Sequence, residues 1–149
     1  MLIEIQFYGI VRTDGKILLG FKRKDTGKVA IVIVTNHYDA SALSDALRVR
    51  RDTIPNIYDT WADSMRKLGV TVDGLVASRI IDDQIECRLH FTHGNTHCEV
   101  LRGLSEGANI ALRMSAPLHA DAQALDEIAV LAEIANESIP PDDEHLTRN

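Results

Sequence analysis

Only two cysteines occur in 149 residues, so a disulfide framework holding a small secreted fold is excluded. Four prolines and nine glycines, with no internal repeat, remove the fibrous and low-complexity classes. Aromatic residues make up 5% of the chain, and no stacking platform for bases is visible in their spacing. No apolar run approaches the roughly 18 residues that a membrane-spanning helix needs. The first residues, Met-Leu-Ile-Glu-Ile, lack the basic region and apolar run of a secretory signal and read directly as a strand, so a cytoplasmic location is expected. Phosphate-loop and dinucleotide-binding fingerprints are also absent.

What is present is the composition of an ordinary globular domain, 45% hydrophobic and 26% charged, long enough to bury one core. The net charge of −6 is uneven. From Asp121 onward there are eight acidic residues and one basic one, Arg148, so the acidity belongs to the end of the chain. It does not turn the body of the domain away from an anionic ligand.

Alternating apolar residues predict a strand over Leu2 to Thr13, with Ile3, Ile5, Phe7 and Val11 on one face. Asp14-Gly15 is a type I′ hairpin signal, and Lys16 to Lys24 returns as the second strand. Val29 to Val34 is continuously apolar, which suits a central strand covered on both faces. Helices are expected from about Asp39 to Val49 and from Asn56 to Leu68, the second closed by Gly69. Val70 to Ile81 reads as a strand, followed by a turn at Asp82-Asp83. Gln84 to Phe91 and His97 to Leu101 then form a hairpin around Gly94-Asn95. A short helix begins at Ser105, the expected N-cap, and stops before Pro117. A last helix runs from Asp121 to about Asn136, and residues 138–149 form an acidic tail. The expectation is one α+β domain over residues 1–137, with a largely antiparallel or mixed sheet and three to four helices.

Three carboxylates, Asp39, Asp59 and Glu106, fall in the first turns of predicted helices. Such residues commonly cap a helix and oppose its dipole. The same chemistry serves phosphodiester hydrolysis, where carboxylates hold a divalent ion that lowers the pKa of a bound water. Arg102 and Ser105, beside a helix N-terminus, can grip a phosphate, or pair with a carboxylate and cap. Lys22, Arg23, Lys24 and Lys28 flank one turn, and Arg48, Arg50 and Arg51 end a helix; these form the expected nucleic-acid surface, or simply a solvated one. Cys87, His90, His93, His97 and Cys98 resemble a metal cluster until strand geometry is applied. The two-residue loop pairs Phe91 with Cys98 and Leu89 with Val100, which sends both thiols to the core, out of register with each other, and leaves His90, His97 and Glu99 on the polar face. Trp61 reads as core.

The stretch Arg102-Gly-Leu-Ser105-Glu106-Gly-Ala-Asn-Ile-Ala-Leu-Arg113, followed by Ala116-Pro117, resembles the signature helix of the bifunctional nuclease domain family, Arg-Pro-Ser-Asp-Ala-Ile-Ala-Leu-Ala-Leu-Arg. Pro55-Asn-Ile-Tyr58-Asp59 and the following Leu68-Gly69 resemble the family's Pro-Leu-Thr-His-Asp segment and its helix. Ile31 to Val34, with Asp39-Ala40-Ser-Ala42-Leu43, resembles the family's strand and Glu-Ala-x-Ala-Ile-Ala helix. The order and spacing agree over roughly residues 1 to 128. Here Tyr58 stands at the family's His, Val34-Thr35-Asn36 at its Trp-Ile-Gly, and one extra residue separates Arg102 from Ser105. The resemblance implies a nuclease, a hydrolase acting on the ester bonds of DNA or RNA. In it Asp39, Asp59 and Glu106 would hold Mg²⁺ or Mn²⁺ and activate water, and Arg102 and Ser105 would contact phosphate. The alternative is a catalytically inactive nucleic-acid- or protein-binding module on the same fold. A homodimer is expected, because the last helix carries an apolar stripe of Leu125, Ile128, Leu131, Ala132 and Ala135.

Overall fold

The chain begins with β1 (Leu2–Thr13), which turns through Asp14-Gly15 into β2 (Lys16–Arg23). Both turn residues have positive φ, 45° and 72°, the geometry that a two-residue type I′ hairpin demands. The computed structural model describes residues 1–48, 54–82, 84–128 and 147–148. Within them lie β3 (Val29–Val34), α1 (His37–Arg48), α2 (Ile57–Lys67), β4 (Val70–Ile81), β5 (Gln84–His93), β6 (Thr96–Gly103), α3 (Leu104–Arg113), β7 (Leu118–Asp121) and β8 (Thr147–Arg148). Residues 122–128 are helical, and the rest of the expected last helix lies outside the described residues.

The strands form one open mixed sheet in the order β3-β2-β1-β7-β4-β5-β6, with β8 also paired to β1. Every ladder is antiparallel except β4 with β7. The core lies between the inner face of this sheet and the helices, with Phe21, Leu19, Leu43, Leu75, Leu89 and Ile128 fully buried. Helix α3 sits closest to the sheet. A Cβ at Gly107 would approach Leu75 Cδ1 to 2.9 Å, so only glycine permits that approach without displacing Leu75. Among the described residues no helix is long and apolar enough to cross a membrane.

Several expectations are corrected. The register of β1 against β2 shifts between Phe7 and Gly9, and this bulge buries Ile10 in place of Val11. Strand β3 is not central: among the described residues it lies at the sheet's edge, with Val29 and Ile33 45% and 48% exposed. An apolar run thus marks burial on one face only, through Ala30 and Val34. The β5–β6 hairpin has the expected register, Phe91 with Cys98 and Leu89 with Val100. Only Cys87 is buried, however, because Cys98 lies on the outer strand β6, whose residues are mostly exposed. Strand β7 was not expected from the sequence. Leu125 and Ile128, offered above as a dimer seam, are buried within the monomer. Leu131, Ala132 and Ala135 lie outside the described residues.

Candidate functional site

Two helices present an acid at the same capping position and use it differently. Helix α2 is capped by Asn56, whose side chain accepts from the N–H groups of Tyr58 and Asp59. Asp59 completes the box by accepting from the Asn56 N–H at 2.8 Å, and its other oxygen accepts from Arg113 Nε at 2.8 Å. Burial pushes the Asp59 carboxyl upward, but the Asn56 N–H and the Arg113 guanidinium outweigh it and hold the pKa below the usual carboxylate value. Both Asp59 oxygens are therefore engaged in structure.

Asp39 stands at the matching place in α1, where the Asn36 side chain accepts from its N–H at 3.1 Å. Its carboxylate is turned into the protein instead. Tyr58 Oη donates to Oδ1 at 2.5 Å and Ser105 Oγ donates to Oδ2 at 3.0 Å. Residues from all three helices thus meet at one buried carboxylate, each of whose oxygens accepts one of these hydrogen bonds. Burial raises the Tyr58 pKa, and the adjacent Asp39 adds to it, so the phenol stays protonated across the physiological range and acts as a donor.

Below this carboxylate lies Asn109, fully buried. Its amide nitrogen donates to the backbone oxygens of Asp39 and Ser105, and its oxygen accepts from Arg113. Arg113, with 8% of its side chain exposed, also donates to the Ala42 carbonyl and lies 5.6 Å from the centre of the Tyr58 ring. The guanidinium thereby ties α1, α2 and α3 together around Asp39. Among the described residues no buried side-chain N or O lacks a partner.

Ser105 is not the N-cap: Gly103 occupies that place without a side-chain bond, and Ser105 sits inside the first turn. Arg102 pairs with Glu106 at 3.5 Å, and both side chains are about half exposed. Asp39, Ser105 and Glu106 line one cleft of about 470 Å³ between the β3–α1 connection and the start of α3. Glu106 also lines a second cleft of about 370 Å³, together with Tyr58, Trp61, Phe91 and Arg102. Asp59 lines neither. No set of three His, Cys, Asp or Glu residues suited to a metal is found among the described residues, the β5–β6 hairpin included. There His90 faces Glu99 at 3.6 Å and His97 shares a hydrogen bond with Thr92.

The basic surface is partly neutralised. Arg23 grips Asp25 with two bonds and lies 3.9 Å from Asp126, and Lys24 pairs with Glu4 at 2.7 Å. Lys22 and Lys28 are exposed. Arg50 and Arg51 lie outside the described residues, as does the side chain of Arg48. Sequence reasoning missed Asn109 and the role of Arg113. Their signal was an amide in mid-helix about one turn before an arginine and one turn after Ser105, all three on one stripe of the helix.

No curated protein matches the chain. The family model for the bifunctional nuclease domain matches residues 18–133, more than three quarters of the sequence and all three helices around Asp39, so the chain belongs to the bifunctional nuclease domain family.

Proposed function

We propose that the protein binds nucleic acid and hydrolyses its phosphodiester bonds at the cleft lined by Asp39 and Glu106. Family membership supports a nuclease-like or nucleic-acid-binding role. The observation that carries the site is the Asp39 carboxylate, buried, lining a cleft, and oriented by Tyr58 and Ser105. In this reading two carboxylates, not three, would hold a divalent ion. Asp39 and Glu106 share the cleft, while Asp59 is engaged by its cap and by Arg113. Mg²⁺ and Mn²⁺ suit such a site, since Mg²⁺ keeps several waters and is often held by one or two carboxylates plus substrate phosphate. When bound, the ion would lower the pKa of a water and offset phosphate charge. Tyr58 and Ser105 fix the direction of the Asp39 oxygens, and Arg102, beside Glu106, would contact phosphate.

Cleavage of labelled single-stranded and duplex DNA and RNA, with Mg²⁺ or Mn²⁺ and with chelator, tests this reading. Asp39→Asn and Glu106→Gln should each lower the rate by about 100-fold or more, the scale of losing one electrostatic stabiliser. Asp59→Asn should keep most activity at a temperature where it remains folded. Equal activity in the Asp39 and Asp59 variants would sink the assignment.

A second reading is favoured by one observation. Tyr58 occupies the place of the family's His and stays protonated, so it supplies no base near neutral pH. A module that binds without cutting has the same cleft, and binding in the absence of any turnover with either metal would establish it. The proposal includes a homodimer. Its support lies not in the final helix, whose Leu125 and Ile128 are internal, but in β3, an edge strand with exposed Val29 and Ile33.

A further inference from the structure

We propose that the second cleft, between α2, α3 and the β5–β6 hairpin, takes a single unstacked nucleobase of the strand bound at Asp39; the inference rests on the nucleic-acid reading of that site. The cleft, about 370 Å³, lies at the lower end of the roughly 300–1,000 Å³ typical of small-ligand pockets. Its walls are apolar and aromatic. Tyr58 and Trp61 come from α2, Phe91 from β5 and Val100 from β6. Trp61 and Phe91 meet edge to face, with centroids 5.8 Å apart at 64°, which leaves a rigid angled wall against which a flat ring can lie. Its charged lining is the pair Arg102 and Glu106, to which the phosphate and ion roles fall, so the base is held by its faces and not by its edge.

Tyr58 joins this cleft to the other. Its ring lines the aromatic wall while its hydroxyl donates to Asp39. Glu106 lines both clefts. With the ion of the proposed reading held at Asp39 and Glu106, a ligand filling both clefts sets a flat aromatic unit beside an anionic linkage, which is the chemistry of a nucleotide within a strand. A base paired and stacked in a duplex has no free face to offer, so single strands and frayed ends are preferred.

Trp61 is the chain's one tryptophan, so its emission reports on this cleft. The experiment titrates the full chain, with Ca²⁺ in place of Mg²⁺ or Mn²⁺ so that the ion site is filled while cleavage is slowed, with a dye-labelled short single-stranded oligonucleotide. A duplex hairpin of the same sequence and an abasic strand of equal charge are titrated in parallel. Anisotropy reads binding and Trp61 emission reads occupancy. The single strand should quench Trp61 and bind about tenfold or more tightly than either control, the scale of stacking one base. Val100→Glu, on the exposed edge strand, should abolish the quench and that preference while near-ultraviolet circular dichroism stays unchanged. Equal binding of all three ligands with unchanged emission would overturn the base site and leave the nucleic-acid reading standing. Binding of none would overturn both. Should Val100→Glu fail to fold, the abasic comparison on the wild-type chain still decides.

Discussion

At the scale of single residues, Asp39 and Asp59 show why an acid in a first helical turn is ambiguous in sequence. Both sit three residues after an asparagine cap, and the pattern alone gives them the same meaning. Their difference is tertiary: Arg113, 54 residues away, claims Asp59, and Ser105, 66 residues away, claims Asp39. The Asp59 interaction has a pH signature. Its folded pKa lies below the ordinary value of about 3.9, so its contribution to stability is complete above that value and is lost as pH falls through the folded pKa. Asp59→Asn should therefore unfold more readily near neutral pH and lose less stability on acidification, measured by thermal melts across pH 2 to 7. An acid limb unchanged by the substitution would refute this role. Asn109 was hidden because an amide inside an apolar face usually counts against a helix, whereas here every polar group it carries is matched. Asn109→Leu removes those partners and leaves Arg113 short of an acceptor, a loss of about 2–3 kcal/mol, readable in urea unfolding.

At the scale of elements, local turn signals with a mechanism were legible, whereas the helix cap expected at Ser105 fell instead to Gly103. Asp14-Gly15 and Gly94 mark two hairpins, and the Gly69 φ of 73° ends α2 where a C′ glycine was expected. What sequence could not give was each strand's neighbour. An apolar run looks central wherever it sits, so β3 at the edge could not be told from a covered strand. The four residues of β7 are too few to show a period, yet they join β1 to β4 and close the middle of the sheet. The same limit misplaced Cys98, since alternation assigns a face but does not say whether that face is covered. This leaves two chemically distinct thiols. Burial pushes Cys87 up to about 12, with Glu86 adding to it, while Cys98 is exposed. A disulfide reagent at pH 8 should modify one thiol per chain in the native protein and two after denaturation. Cys98→Ser should leave none reactive before unfolding, and two fast thiols in the native state would contradict the burial of β5.

For the whole molecule, the family assignment was legible because three short blocks kept their order, and those blocks are the helices that converge on Asp39. The arrangement of charge was less so. Counting basic residues suggested a polyanion surface at the β2–β3 turn, but Arg23 is paired with its near neighbour Asp25, and Lys24 with Glu4, a partner that sequence distance conceals. The proposed dimer is judged by the same kind of three-dimensional accounting. Ile128 is fully buried within the monomer, so Ile128→Glu should abolish the fold instead of dispersing a dimer. Strand β3, in contrast, is the last strand of its side of the sheet among the described residues, and Val29 and Ile33 point apolar side chains outward from it. Unpaired backbone groups beside exposed β-branched residues are a surface on which a second copy can add, strand to strand, by a two-fold operation. Light scattering at micromolar concentration should give twice the 16.5 kDa of one chain. Ile33→Lys should return the protein to monomer with its melting temperature little changed, because that side chain is half exposed and outside the core. A wild-type monomer at that concentration removes the dimer from the proposal. A dimer that survives Ile33→Lys moves its seam away from β3.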